Sequence, residues 1–107
     1  MQNLNEKKYE QKGQALIYYM PKEVDHHVAQ KMCKELDMLI ESFMLTELEL
    51  DFSSTEFMDS SGVGVIIGRS KMMQFRNGKM IVSNMNARIK GILKSVGIQK
   101  LVEIKEA

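Results

Sequence analysis

The stretch that decides the fold of this protein is Phe57-Met58-Asp59-Ser60-Ser61-Gly62-Val63-Gly64-Val65-Ile66-Ile67-Gly68-Arg69. Its Asp-Ser-Ser-Gly segment has the residue types that begin helices. The apolar run behind that segment continues to Phe75 and stops before Asn77-Gly78. We therefore predict a mostly buried helix, with Gly78 near its C-terminal cap.

The sequence before this helix predicts two strands and a second helix. A weak strand covers Leu4 to Lys12, and the apolar, aromatic segment Ala15 to Met20 is typical of a buried strand that Pro21 ends. From Val28 to Phe43, apolar residues recur every three or four positions, with charged residues between them. This spacing predicts an amphipathic helix, and Asp25 is its expected N-cap.

Three more strands and a third helix complete the pattern. Glu47 to Phe52 alternates acidic and apolar residues, which predicts a half-buried strand with one face toward water. Lys79 to Ser83 is a short apolar strand, Asn86 caps a helix that Gly97 ends, and Leu101 to Ile104 is the last strand. The acidic side of the half-buried strand consists of Glu47, Glu49 and Asp51.

The element order β-β-α-β-α-β-α-β predicts a single α/β domain over residues 1–107. Strands and helices alternate after the opening hairpin, so we expect a mixed, largely parallel sheet with flanking helices and right-handed crossovers. The functional crevice of such sheets lies beyond the carboxyl ends of the parallel strands. Three loops should meet there: Pro21 to His27, Ser53 to Ser61, and Asn84 to Asn86.

Composition excludes several classes of function. The 107 residues carry 15 Lys and Arg against 14 Asp and Glu, a net charge of +1, so the basic excess of a nucleic-acid-binding protein is missing. No secretory signal or membrane span is recognisable, and we expect a soluble, cytoplasmic protein. The single cysteine, Cys33, and most of the ten methionines are expected to fill the core.

Motifs for catalysis or cofactor binding are incomplete. The glycines from Gly62 to Gly68 miss the dinucleotide-binding spacing by one residue, and no Gly-Lys-Ser/Thr of a phosphate-binding loop occurs. Ser60 and Ser61 lack the preceding glycine of a nucleophile elbow. Asp25-His26-His27 has no second ligand cluster to complete a metal site. We therefore predict no catalytic, cofactor-binding or metal-binding residues.

The Asp59-Ser60-Ser61-Gly62 segment allows two compatible interpretations. In the first, the serine pair only caps the helix. In the second, Ser60 accepts a phosphate, which adds about −1.5 to −2 charge and is stabilised by the N–H groups of the helix start. A third, more distant possibility is that the helix start holds the phosphate of a nucleotide without a covalent bond.

The segment from Phe57 to Arg69 closely resembles the signature of STAS-domain anti-anti-sigma factors. The similarity extends over nearly the whole chain, including Asp25-His26-His27, Lys79 to Ser83, and Ile89 to Leu101. It is greatest to the stage II sporulation branch, the antagonists of the anti-sigma factor that controls the forespore sigma factor. The resemblance implies a STAS fold and a protein-binding switch that is not an enzyme.

The resemblance also implies partners and site residues. The unmodified family member binds an anti-sigma factor, a GHKL-type serine kinase, and thereby releases a sigma factor. The kinase switches it off by phosphorylating the serine after the motif's Asp, here Ser60, and a serine phosphatase resets it. A general-stress antagonist and a nucleotide-binding STAS regulatory module are the alternatives. The partner surface implied for this chain comprises Asp25, Asp59, Ser60, Ser61, Gly62 and Arg69.

Two features depart from the family pattern. The turn before Asp25 reads Pro21-Lys22-Glu23-Val24, where relatives often have a Gly-Glu-Leu type turn. The sequence ends at Ala107, soon after the last strand, where relatives usually add a C-terminal helix. We therefore expect that helix to be missing and part of the sheet to lie open.

Overall fold

The computed structural model describes residues 7–106 of the chain. The predicted hairpin and the alternation of strands and helices are both present, and two strands of two residues each are added. The elements are β1 (Tyr9–Lys12), β2 (Ala15–Tyr19), β3 (Glu23–Val24), α1 (His26–Ser42), β4 (Glu47–Asp51), β5 (Phe57–Met58), α2 (Ser60–Phe75), β6 (Lys79–Ser83), α3 (Ala87–Ser95), a 3-10 turn (Ile98–Lys100) and β7 (Glu103–Lys105).

The main sheet has the strand order β1-β2-β4-β6-β7. Only β1 and β2 are antiparallel, and every later pair is parallel, which confirms the mixed, largely parallel sheet. Right-handed crossovers between strands that follow one another in this order place their helices on the same face. The core therefore lies on one side of the sheet.

The core is formed by alternate strand residues and the inner faces of the helices. Leu16, Leu48 and Met80 form one register row, and Tyr18 and Leu50 belong to the next. Methionines fill much of this core, and Cys33 packs against it, as predicted. The fully or nearly buried methionines are Met20, Met32, Met58, Met73 and Met80.

The acidic face of β4 differs from the prediction at its centre. Glu49 is only 9% exposed, and its carboxylate accepts a hydrogen bond of 2.7 Å from the Ser83 hydroxyl. Ile17 and Ile81 are its register partners on the two neighbouring strands. The expectation that this whole face meets water was wrong, because the neighbouring strands supply both an apolar flank and a hydrogen-bond donor.

Several element boundaries also differ. The first strand begins at Tyr9, and the part of the predicted strand before residue 7 lies outside the described residues. Helix α1, by contrast, begins at His26, directly after its predicted cap Asp25. The last strand begins at Glu103 rather than at Leu101, because the chain after the α3 helix forms a 3-10 turn before it extends.

The end of α2 uses Asn77 and Gly78 in different roles. Asn77, not Gly78, has the left-handed backbone with a φ of 57°. A Cβ atom on Gly78 would lie 2.8 Å from the carbonyl oxygen of Thr46. Gly78 thus lies near the C-terminal cap of α2, as predicted, and a glycine is required there by the close approach of two backbones.

A polar link joins β2 to α1 beside the core. The Tyr18 hydroxyl donates a 2.5 Å hydrogen bond to Glu35, which also pairs with Lys8 at 3.0 Å. Burial and the adjacent carboxylate raise the pKa of Tyr18. Burial alone would raise the pKa of Glu35, but the hydrogen bonds from Tyr18 and Lys8 lower it overall.

Among residues 7–106, no helix is both long enough and apolar enough to span a bilayer.

Candidate functional site

A second, two-stranded sheet organises the loops beyond the carboxyl ends of the main strands. In it β3 and β5 pair in parallel, with Val24 opposite Met58. The Asp59 N–H extends the pairing by donating to the Val24 carbonyl at 3.2 Å. The next residues in this register are Asp25 and Asp59. The small sheet therefore places the starts of α1 and α2 side by side.

The two helix starts have nearly identical caps. Asp25 has φ −98° and ψ −175°, and Asp59 has φ −96° and ψ −172°. The Asp25 carboxylate accepts from the Val28 N–H at 2.9 Å, and the Asp59 carboxylate accepts from the Ser61 N–H at 2.8 Å. The prediction of Asp25 as a cap is confirmed. The interpretation of the serine pair as the α2 cap was wrong, because Asp59 is the N-cap and its carboxylate accepts the hydrogen bond from the Ser61 N–H.

The two serines of the α2 start differ in exposure. Ser60 is the first residue of the helix and is exposed, whereas Ser61 is half-buried. The Ser61 hydroxyl oxygen lies 3.5 Å from Nδ1 of His26 on α1. His26 was not among the predicted site residues, because its position beside Ser61 depends on the pairing of β3 with β5. The hydroxyl that faces solvent is that of Ser60.

Gly62 allows α2 to begin close to the small sheet. A Cβ atom at this position would lie 2.2 Å from Cγ of Met58 and 3.3 Å from Cγ1 of Val24. Both of those side chains are buried, so neither has open space to move into. Glycine is therefore needed here for packing, and the direct partner contact implied for Gly62 stays a prediction.

Arg69 lies away from the other predicted site residues. It is nine residues beyond Ser60 in α2, about 13 Å along the helix axis. Its side chain is 12% exposed, and its Nε lies 3.1 Å from the Asp37 carboxylate on α1. The structure thus brings together Asp25 and the Asp59 to Gly62 segment but places Arg69 between the two helices.

The three loops predicted to form the crevice do meet. The Thr55 hydroxyl donates to the Pro21 carbonyl at 2.8 Å, and the Asn86 amide donates to the Thr55 carbonyl at 3.2 Å. Thr55 is buried, although it lies in a polar stretch of the sequence. Asn86 also caps α3 by accepting from the Ile89 N–H, as predicted. These bonds fix the surroundings of the α2 start.

Acidic residues are frequent in the two segments that lead into α1 and α2. Glu23, Asp25 and Glu56 are exposed and Asp59 is half-buried, while Lys22 pairs with Glu56 at 3.5 Å. Across residues 7–106, no three side chains of the metal-binding types come together as a metal site. The Ser60 residue is thus exposed at the first position of α2, directly after the Asp59 cap.

Comparison with known proteins finds a matching family and several proteins of similar sequence. The STAS domain family model matches residues 6–107. The anti-sigma F factor antagonist of Paenibacillus polymyxa is 33% identical over 89 residues, which are 83% of this chain and 76% of that protein. The anti-sigma-B factor antagonist of Listeria monocytogenes is 26% identical over 86 residues, 78% of this chain and 72% of that protein.

Solved structures show the same fold. The anti-sigma factor antagonist SpoIIAA in its unphosphorylated form superposes with a TM-score of 0.83 at 23% identity, over 92% of this chain and 85% of that chain. The Bacillus cell fate determinant SpoIIAA in the phosphorylated form superposes with a TM-score of 0.77 at the same identity, over 92% and 88% of the two chains.

Proposed function

The chain belongs to the STAS domain family, and we propose that it acts as an anti-sigma factor antagonist that phosphorylation of Ser60 switches off. The observation that carries this proposal is that Ser60 is exposed at the start of α2, directly after the Asp59 cap. The antagonist names of the relatives from Paenibacillus and Listeria support it. In this proposal the chain binds a protein partner, holds no cofactor and catalyses no reaction.

The proposed partner is an anti-sigma factor that is a GHKL-type serine kinase. Unmodified, the chain binds the kinase through Asp25 and the Asp59 to Gly62 segment and so releases a sigma factor. The kinase then joins the Ser60 oxygen to the γ-phosphorus of ATP, while the bond from that phosphorus to ADP breaks and the hydroxyl proton leaves. Arg69 would contribute to this interface only through the packing of α2 on α1.

Phosphorylation of Ser60 would change the charge of an already acidic surface. A phosphate adds about −1.5 to −2 charge beside Asp59, whose carboxylate already occupies the Ser61 amide. Inside an interface that excludes water, these like charges repel each other and the anionic nucleotide of the kinase. Reversing a binding equilibrium from 99:1 to 1:99 requires roughly 5.5 kcal/mol. The exposure of Ser60 also leaves the phosphate accessible to a serine phosphatase that resets the switch.

The relatives favour a sigma factor of the sporulation type. The sigma F antagonist from Paenibacillus shares 33% of aligned residues with this chain, against 26% for the sigma-B antagonist from Listeria. A general-stress antagonist, supported by the second relative, is the alternative. Non-covalent nucleotide binding is less favoured, because the Asp59 carboxylate puts a negative charge where a nucleotide phosphate would approach the helix.

The test is phosphorylation of the full chain by the host's candidate anti-sigma kinase with ATP. Intact mass and peptide mapping should find one phosphate, on Ser60, in the wild type. Ser60→Ala should carry none, while the matched Ser61→Ala variant should still carry one. In binding assays Ser60→Asp should weaken the complex at least about tenfold, and Ser60→Asn should weaken it much less. An active kinase that binds the chain and leaves Ser60 unmodified would contradict the proposal.

A further inference from the structure

The face of the main sheet opposite the core contains a cavity of about 690 Å³. The residues that line it come mainly from β1, β2 and β4 and include Ala15, Ile17, Glu47 and Glu49. In the strand register Ala15 pairs with Glu47, and Ile17 pairs with Glu49. These four side chains therefore point to the same face of the sheet. Small-ligand sites in proteins measure roughly 300 to 1,000 Å³, so the cavity has room for a small molecule.

Among the described residues, three glutamates line this cavity, and two of them have ion-pair partners. Lys7 pairs with Glu10 at 3.4 Å, and Lys79 pairs with Glu47 at 3.7 Å. The third glutamate is Glu49, and no ion pair between residues 7–106 includes it. Glu49 is therefore the carboxylate of the cavity whose charge no described side chain balances.

Glu49 is also the most buried of these glutamates, with 9% of its surface exposed. Its Oε2 accepts a hydrogen bond of 2.7 Å from the Ser83 hydroxyl. A carboxylate offers about four lone-pair sites on its two oxygens, so Oε1 keeps its capacity to accept. A hydroxyl supplies no net charge, and buried carboxylates in proteins are normally paired with a cation. The cavity wall thus holds a largely buried negative charge that attracts a positive group.

We propose that this cavity binds a small organic ammonium ion, with the ammonium at Glu49 and an apolar body against Ala15 and Ile17. An ammonium group donates up to three hydrogen bonds, so one contact satisfies Oε1 and balances the charge. Ile17 is the register partner of Glu49, so an apolar surface lies directly beside the carboxylate. An amine fits better than a bare metal ion, because within residues 7–106 no three side chains of the metal-binding types come together.

The charges that line the cavity favour a ligand with a single positive group. Three glutamates and two lysines line it, which leaves a net charge of −1. One of these lysines, Lys12, is exposed on β1 and forms no ion pair with another described residue. Its ammonium group repels a second positive group at the rim of the cavity. A monoamine is therefore a better fit than a polyamine.

The cavity is separate from the Ser60 turn. Ala15 and Glu47 are the first residues of β2 and β4, so the cavity lies toward the amino ends of these parallel strands. The α2 start, with Ser60, belongs to the loops beyond their carboxyl ends. Binding of an amine therefore leaves the Ser60 turn uncovered, and it does not depend on the proposed switch.

Titration of the isotope-labelled full chain with benzylamine at neutral pH, followed through the amide signals by NMR, tests this. The shifts should concentrate on β2 and β4 around Ile17 and Glu49, and they should saturate with a Kd of about 1 mM or tighter. Benzyl alcohol has a similar shape and no charge. It should bind the wild type at least about tenfold more weakly, because a hydrogen bond to a charged group is stronger than one between neutral groups.

Two variants test the role of the carboxylate. Glu49→Gln keeps an acceptor for the Ser83 hydroxyl and removes the charge, so it should bind benzylamine at least about tenfold more weakly. Glu103→Gln is the matched control, because it makes the same change at an exposed glutamate of β7 outside the cavity. It should bind as the wild type does.

Three results would overturn the proposal. They are the absence of saturable shifts at about 20 mM benzylamine, equal binding of benzyl alcohol, and undiminished binding by Glu49→Gln. Thermal unfolding shows whether Glu49→Gln is folded, and the comparison of the two probes on the wild type decides the question without any variant. Failure of a kinase to phosphorylate Ser60 would bear on the proposed switch alone.

Discussion

The turn from β3 into α1 and the turn from β5 into α2 have the same backbone and different side chains. Both strands have two residues, both turns end on an Asp cap, and the cap dihedral angles agree within 3°. The first turn continues Asp25-His26-His27-Val28, and the second continues Asp59-Ser60-Ser61-Gly62. One structural unit thus presents imidazoles in one place and hydroxyls in the other.

The comparison distinguishes the residues that build both turns from the residues that could carry a function. Each Asp cap accepts a hydrogen bond from a backbone amide in the first turn of its helix, from Val28 in α1 and from Ser61 in α2, so both caps belong to the framework that the two turns share. The third residue after each cap reflects the packing of its helix, with a half-buried valine in α1 and a glycine against Met58 in α2. Only the two residues between the Asp cap and the packed third position are available to carry a function. They are His26 and His27 in α1, and Ser60 and Ser61 in α2.

The largest effect is expected from moving the serine between the turns. In a His26→Ser/Ser60→Ala variant, α1 has a serine directly after its Asp cap and α2 has none. We expect complete loss of phosphorylation by the cognate kinase, because a kinase reads the surface around its target as well as the hydroxyl. Peptide mapping after incubation with ATP measures this. A phosphate on residue 26 would show that the capped turn alone is sufficient.

The next largest difference between the two turns is expected in the stability cost of substitutions at the third position after each Asp cap. Gly62→Ala should lower the free energy of unfolding by about 2 kcal/mol, because the new methyl group overlaps Met58. Val28→Ala, at the equivalent place in α1, should cost about 1 kcal/mol, since it removes only half-buried apolar groups. Urea denaturation compares the two. Equal costs would mean that the α2 start is not packed more tightly than the α1 start.

The smallest and most symmetric effect is expected at the caps. Asp25→Ala and Asp59→Ala should each lower the free energy of unfolding by about 1 kcal/mol, because each leaves a helix amide without its acceptor. Asp25→Asn and Asp59→Asn keep the acceptor and should recover most of that loss. Thermal and urea unfolding measure these differences. A cost at one cap more than about twice that at the other would break the equivalence of the two turns.

The predictable parts of the fold rested on patterns that are local in sequence. The three-and-four spacing from Val28 placed α1, and Asp25 and Asn86 were identified as caps from residue type alone. The largely parallel sheet followed from the alternation of strands and helices, and so did the meeting of the three loops. The prediction for the acidic face of β4 failed where a distant segment decides the outcome, at Glu49 with its Ser83 partner, and the contact of Gly78 with Thr46 could not be read from local sequence either.

The candidate site shows the same division. By itself, the sequence determined the α/β class, the family resemblance, and the choice of Asp25 and the Asp59 to Gly62 segment as one surface. Only the tertiary structure decided that β3 and β5 pair, that His26 meets Ser61, and that Arg69 lies between the helices. A strand of two residues has too few positions to show a period, and its partner is more than thirty residues away. Such contacts depend on the packing of the whole chain, because no local preference specifies them.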